Sequence, residues 1–200
     1  MSSFATASTQ LPTQLTTALK EWAVVIQALM AGEMILLLRK GGIREENGRF
    51  EVKCDRIWLF PTYEHQQPDL LKPFYSDQVQ PVSPGWHPDP LEIRAWANIT
   101  HIFPLPNADQ VAALTPHHIW SQSCIQARYD WKPQQPLYGL LLRVHRLPHP
   151  VSVPYQPSYG GCRSWIDITV PADPTTAHSV LDDPTYRHQV QAILQTLSPG

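Results

Sequence analysis

Apolar positions along this chain change their period several times, and each change marks an element boundary. Leu19, Trp22, Ala23, Ile26, Leu29 and Met30 fall at helical spacing, which predicts a buried-stripe helix over 18–31, capped by Thr17. Gly32 stands where a left-handed residue ends a helix at little steric cost. The continuous run Ile35-Leu36-Leu37-Leu38 predicts a strand over 33–39 covered on both faces. Gly41-Gly42 breaks it. Asn47-Gly48 is a hairpin turn signal joining a strand near Ile43 to one over 49–53, and a further strand over 56–60 ends at Pro61.

The next stretch, 63–90, is proline-rich and predicts irregular chain with one helical turn near 69–72. Alternation resumes over 91–103. Leu91, Ile93, Ala95, Ala97 and Ile99 share one face and Glu92, Arg94, Trp96, Asn98 and Thr100 the other, the pattern of a half-buried strand. Two short helices follow, one capped by Asn107 and one opened by Thr115-Pro116. Strands over 137–147 and 164–170 come next. A last helix opens at Asp182 or Asp183 before Pro184, its apolar face built by Tyr186, Val190, Ala192, Ile193 and Leu197.

Strands clustered between helices, without regular alternation, exclude a doubly wound sheet. They predict an α+β fold: a mostly antiparallel sheet or small barrel, with a packed N-terminal helix and peripheral short helices. Residues 1–15, rich in Ser, Thr and Gln, are expected to form a disordered leader, and 16–200 a single globular domain.

Composition narrows the partners. With 15 Lys plus Arg against 17 Asp plus Glu, no global field draws the molecule to nucleic acid or lipid, so any such partner is met by a local patch. The 21 prolines point to long pinned loops rather than long helices. No apolar run approaches the about 18–20 residues that cross a bilayer, and no signal-peptide pattern is present, so a cytoplasmic protein without membrane contact is expected. Cys54, Cys124 and Cys162 are scattered, odd in number and without a paired metal signature, and are expected to be reduced. No cofactor fingerprint is present.

The densest polar constellation lies between Arg39 and His65. Arg39-Lys40 precede Gly41-Gly42 at the end of a buried strand, a setting that suits a phosphate or carboxylate. Tyr63-Glu64-His65 follows another strand end and offers an aromatic ring, a carboxylate and an imidazole. Arg143 lies on a strand, and Trp165 follows Gly160-Gly161. Aromatic residues interleaved with cations are what an unpaired base and its phosphates require, though core packing is the commoner fate of any one Trp. The fragment Glu51-Val52-Lys53 fits half of a metal-dependent nuclease signature, which also needs an upstream acid. His117-His118 and the pair His145 and His149 lack a supporting ligand at metal spacing, so no metal is expected.

Several segments taken together resemble an uncharacterised bacterial domain family of unknown function, common in photosynthetic bacteria. They are Ala18-Leu19-Lys20-Glu21-Trp22, then 36–43, Trp58-Leu59-Phe60-Pro61-Thr62-Tyr63-Glu64-His65-Gln66, Leu142-Arg143-Val144 and 159–165. The resemblance spans about residues 18–170. It implies a role near DNA restriction, since members are joined in places to Mrr-type restriction endonuclease domains. A weaker similarity is to ASCH domains, relatives of PUA and EVE folds. Their Gly-x-Lys-x-x-Glu-x-Arg pattern is matched here by Gly32 and Arg39, while Met34 and Leu37 replace the Lys and Glu. That similarity implies a small PUA/EVE-like barrel that binds RNA or modified DNA bases.

The function expected is therefore a nucleic-acid-binding or modified-base reader module, with DNA or RNA as partner. Its ligand-binding residues are expected among Arg39, Lys40 and Arg143 for phosphate, Tyr63 and Trp165 for stacking, and Glu64 and His65 for the base edge. The alternatives are a metal-dependent nuclease or other hydrolase, using Glu64, His65, Glu51 and Lys53, and a protein-interaction module.

Overall fold

The computed structural model describes residues 15–40, 54–161 and 163–198, with the backbone alone of 2–3, 44–46 and 49–51. Among these the order is β1 (Ser2–Ser3), β2 (Thr17–Trp22), α1 (Ala23–Ala31), β3 (Leu36–Arg39), β4 (Arg44–Glu46), β5 (Arg49–Glu51), β6 (Arg56–Thr62), α2 (Pro73–Ser76) and β7 (Leu91–Leu105). Then come α3 (Ala108–Ala113), α4 (Gln122–Asp130), β8 (Leu137–Val153), β9 (Trp165–Asp167), β10 (His178–Ser179) and α5 (Asp183–Leu197).

Eight strands form one sheet in the order β10-β8-β7-β6-β2-β9, with β1 added to β7 and β3 to β8. Among the described residues only β2 and β6 pair in parallel; the other pairings are antiparallel. The α+β, mostly antiparallel architecture expected from the sequence is the one the chain adopts. Among the described residues backbone pairing does not close the sheet into a barrel. Instead Arg39, at the end of β3, reaches β2: its Nη1 donates to Glu21 Oε2 at 2.8 Å and its Nη2 to the Lys20 carbonyl at 3.3 Å. Strands far apart in the strand order are thus joined by side chains.

Both faces of the sheet are covered, which explains the continuous apolar runs. Leu19, Ile57, Leu59, Ala97 and Leu140 pack with α1 and Leu36-Leu37-Leu38 in the main core. Ala18, Trp58, Phe60 and Trp96, on the opposite face, pack with Leu15, Tyr159, Ile166, Ile168 and Val170. The two indoles of this second core are satisfied, Trp58 donating to the Leu15 carbonyl and Trp96 to that of Pro174. Gly139 lies opposite Phe103 in the β7–β8 register, and a Cβ there would come within 2.3 Å of the Phe103 ring.

Several expectations need correction. The helix expected over 18–31 begins only at Ala23, because 17–22 form β2. Ala18 and Leu19 are both fully buried there, one on each sheet face, and the backbone pairs with β6 and β9. Over so short a window helical spacing and a doubly covered strand look alike, and pairing on both edges decides the outcome. Thr17 is accordingly a strand residue rather than a cap. Gly32 does end α1 in the left-handed conformation, with φ 74°. Strand β6 runs on through Pro61 to Thr62, since its pairing with β7 already stops at Trp58 and β2 alone continues beside it. Strand β8 runs on from Leu147 to Val153. Between Arg146, paired with Ala95, and Val151, paired with Ile93, it carries Pro148 and Pro150 in a bulge where no ladder N–H is asked of them. Trp96 faces the second core, not solvent. Leu91, Ile93, Ala95, Ala97 and Ile99 do not share one face: the register shift between Ile93 and Ala95 leaves Leu91 and Ile93 in the second core with Trp96, while Ala95, Ala97 and Ile99 face the main core. Thr115-Pro116 opens a single 3-10 turn, and the helix after it starts from a Ser121 cap.

Other expectations hold. Asn107 caps α3 through its side chain, and Asp182 caps α5, whose Tyr186, Val190 and Ile193 are buried. Strands β4 and β5 pair as the expected hairpin, while Asn47-Gly48 between them lies outside the described residues. Of the expected leader, Ser2–Ser3 pair with β7 and Leu15 is buried in the second core; 4–14 lie outside the described residues.

Leu37 is 0% exposed in a strand covered on both sides. Leu37→Asp should lower unfolding free energy by about 3–5 kcal/mol in urea titration. A second consequence concerns acid. Burial beside Lys72 and Arg128 pushes the His118 pKa down to about 3, and burial beside Arg143 and Arg56 pushes His145 down to about 4. The unfolded chain then binds more protons than the folded one below the ordinary histidine pKa of about 6.5. Stability should be full above pH 6.5 and fall as pH drops towards 4. Melting curves of His118→Leu should show a shallower loss between pH 6.5 and 5 than the unaltered protein.

Candidate nucleobase cleft

The carboxyl ends of β2 and β6 open into a cleft of about 590 Å³, which the loops after β6 and β8 wall in. Its floor is Lys20, Glu21 and Trp22 of β2 with Arg39 of β3 and Arg128 of α4. Both members of the floor pair are largely buried: the Arg39 side chain is 14% exposed and that of Glu21 6%. Glu21 Oε1 also accepts the Trp22 backbone N–H at 2.9 Å. Burial lowers the Arg39 pKa, and the nearby Arg128 charge lowers it further, while Glu21 acts against both. Arg128 donates to the Leu38 carbonyl and lies over the Trp120 ring, which fixes it behind the floor.

Aromatic rings make the walls. Tyr63 and Trp86 meet edge to face with centroids 5.6 Å apart, and Trp86 is 46% exposed at the mouth. Opposite contacts run from Phe60 to Tyr159 (5.6 Å), from Tyr159 to Tyr155 (6.0 Å) and on to His87, which stacks on Tyr155. The two loops at the mouth are tied together, because Glu64 Oε1 accepts the Gly85 N–H at 2.7 Å. His65 lies beside that carboxylate in the left-handed region, φ 64°. On the far side, Lys20 Nζ donates to the Tyr159 and Gly161 carbonyls at 2.6 and 2.9 Å and so holds the glycine turn against β2. Arg163 braces the same turn through the Ser158 carbonyl. Four cations (Lys20, Arg39, Arg128, Arg163) and two carboxylates (Glu21, Glu64) line the cleft, in a chain whose net charge is −2.

Of the residues expected from the sequence, Arg39, Tyr63, Glu64 and His65 line this one cleft. The structure does not bring Lys40, Arg143 or Trp165 to it. Lys40 Nζ donates to the Tyr129 carbonyl and sits over the Tyr129 ring. Arg143 pairs with Asp183 and lies over Tyr186, and Trp165 packs partly buried against the main core. Arg39 itself is held by Glu21. The side chains of Glu51 and Lys53, and Cys162, lie outside the described residues. Among the described residues no three His, Cys, Asp or Glu side chains gather as a metal site, and no helix is long and apolar enough to cross a membrane. The sequence passed over Glu21, Trp86, Tyr155 and Tyr159. Glu21 was hidden in the expected helix, and Trp86 in a loop with no periodicity; Gly85-Trp86 between prolines was the available signal.

Lys20→Met should loosen the glycine turn specifically. Amide exchange across 159–164 is expected to rise about tenfold or more, while the β7–β8 amides keep their protection.

The family model described as a domain of unknown function, DUF1802, matches residues 18–192. Among solved structures the chain is similar to ASCH from Zymomonas mobilis, at 13% identity over 88% of this chain and 93% of that one, with a TM-score of 0.42. It is similar also to a point mutant of that protein, at 12% identity over 91% of this chain and 99% of that one, with a TM-score of 0.42. No curated protein matches it. The family match runs from β2 to α5 and takes in every residue that lines the cleft, and the chain belongs to the DUF1802 family.

Proposed function

We propose that this chain is a nucleic-acid-binding module whose cleft admits one unpaired or flipped-out base. The observation that carries this is the cleft itself: aromatic walls and an excess of cations in a chain that is otherwise slightly acidic. Its volume lies within the about 300–1,000 Å³ of ligand pockets generally. Planar, anionic ligands suit both features, because rings stack on aromatic faces and phosphates seek cations.

Within this proposal the roles expected from the sequence shift. Arg39 is held by Glu21 and serves the floor, so phosphate falls to Arg163, which is exposed at the rim. Tyr63 is a stacking group, with Trp86 beside it, and Glu64 and His65 stand at the mouth where a base edge enters. Recognition of a modified base, and through it a part in DNA restriction, is the finer form of the same proposal. A cleft that takes one base at a time suits a flipped nucleotide.

Fluorescently labelled single strands of DNA and RNA, and duplexes with and without modified cytosine or adenine, are the direct probes. Micromolar or tighter binding that weakens with salt is expected, with a log–log slope no steeper than about −3 for the cleft's four cations. Trp86→Ala should weaken binding by about 1–3 kcal/mol. Its melting temperature should stay near that of the unaltered protein, because Trp86 is 46% exposed. Absence of binding to every probe at low salt contradicts the proposal.

A further inference from the structure

The floor of the cleft is chemically specific in a way the aromatic walls are not. A carboxylate has about four lone-pair positions. The Arg39 guanidinium and the Trp22 N–H occupy one on each Glu21 oxygen, leaving an acceptor on each. Arg39 presents five N–H groups, of which the Glu21 and Lys20 bonds use two. Side by side, the pair therefore offers a donor, an acceptor and a second acceptor.

We infer that the Arg39–Glu21 pair makes the cleft selective for guanine. The inference rests on the cleft being a base-binding site. Guanine alone among the common bases carries two adjacent donors, N1–H and N2–H, next to an acceptor, O6. Its two donors meet the two Glu21 oxygens while O6 accepts from Arg39. Cytosine and adenine each have one exocyclic donor beside a ring-nitrogen lone pair, which would face a carboxylate oxygen. Uracil and thymine set their single N–H between two carbonyl oxygens, with the same clash. In so buried a floor an unmatched lone pair is penalised more than in water, so discrimination should be large. The edge being read is the one used in base pairing, so a paired guanine is excluded.

The test uses the full chain and five-nucleotide DNA strands of thymidine with a central G, inosine, A, C or T, titrated by fluorescence anisotropy. Central G should bind about tenfold tighter or more than A, C and T. Inosine, which lacks only the N2 amino group, should lose about tenfold relative to G. Glu21→Gln should erase the preference for G over inosine, with the mutant's melting curve measured alongside. Should that variant fail to fold, the G-to-inosine ratio on the unaltered protein still decides the matter. Binding of A, C or T within about threefold of G overturns guanine selectivity but leaves base binding standing. Failure of all five strands to bind overturns both. Guanosine monophosphate is the last arm: competition weaker than the G strand supports recognition within nucleic acid. Equal strength keeps guanine but contradicts a nucleic-acid partner.

Discussion

One ion pair holds together what backbone hydrogen bonds leave apart. Among the described residues β3 pairs only with β8, and β2 only with β6 and β9, which leaves a seam between β3 and β2. Arg39 crosses that seam to Glu21 and to the Lys20 carbonyl. Both side chains are largely buried, so the charges face a high desolvation cost that only good geometry and further hydrogen bonds offset. The Trp22 N–H on Glu21 and the Lys20 carbonyl on Arg39 provide those bonds. A buried pair of this kind is a poor device for raw stability. It is a good one for specifying where two edges meet, and for leaving polar atoms at a defined place.

The place it defines is the bottom of an aromatic cleft. Strand β6 delivers Phe60 and the residue just past its end, Tyr63, the proline-rich loop delivers Trp86 and His87, and the loop after β8 delivers Tyr155 and Tyr159. None of these is positioned by one element alone. Lys20 and Glu64 do the fastening, each tying a loop to a neighbouring segment through backbone groups. The site is thus a convergence of loops on a curled, doubly covered sheet, with rigidity at the floor and exposure at the mouth.

Much of the scaffold was legible in the sequence. The strand over 91–103, the apolar run at 35–38, the cap at Asp182 and the left-handed Gly32 each reflect one local rule, and each appears in the structure, although a register shift after Ile93 moves the strand's alternation from one face to the other. The misreadings arose where two rules gave the same pattern. Residues 18–22 satisfy helical spacing and a strand buried on both faces equally well, and only pairing with β6 and β9 separates them. The same error hid Glu21, since a carboxylate in a helix reads as a solvated side chain. Arg39 stood out because it ends an apolar strand, and Tyr63-Glu64-His65 because it follows one. Lys40 stood out as the neighbour of Arg39 and Trp165 for following Gly160-Gly161, but Lys40 turns to Tyr129 and Trp165 packs against the main core. Trp86 and Tyr155 lie in chain without periodicity, where no local pattern foretells a tertiary neighbour.

That the seam pair is a coupled unit, at once the clasp of the sheet and the floor of the cleft, is open to a double-mutant cycle. Unfolding free energies of the unaltered protein, Glu21→Ala, Arg39→Ala and the double variant give the coupling. Each single substitution strands a buried charge and should cost about 3–5 kcal/mol, and the double variant should be no less stable than either single, a coupling of about 3 kcal/mol or more. Additive losses, with coupling below about 0.5 kcal/mol, would show that β2 and β3 are held by packing alone and that the pair is incidental to the fold.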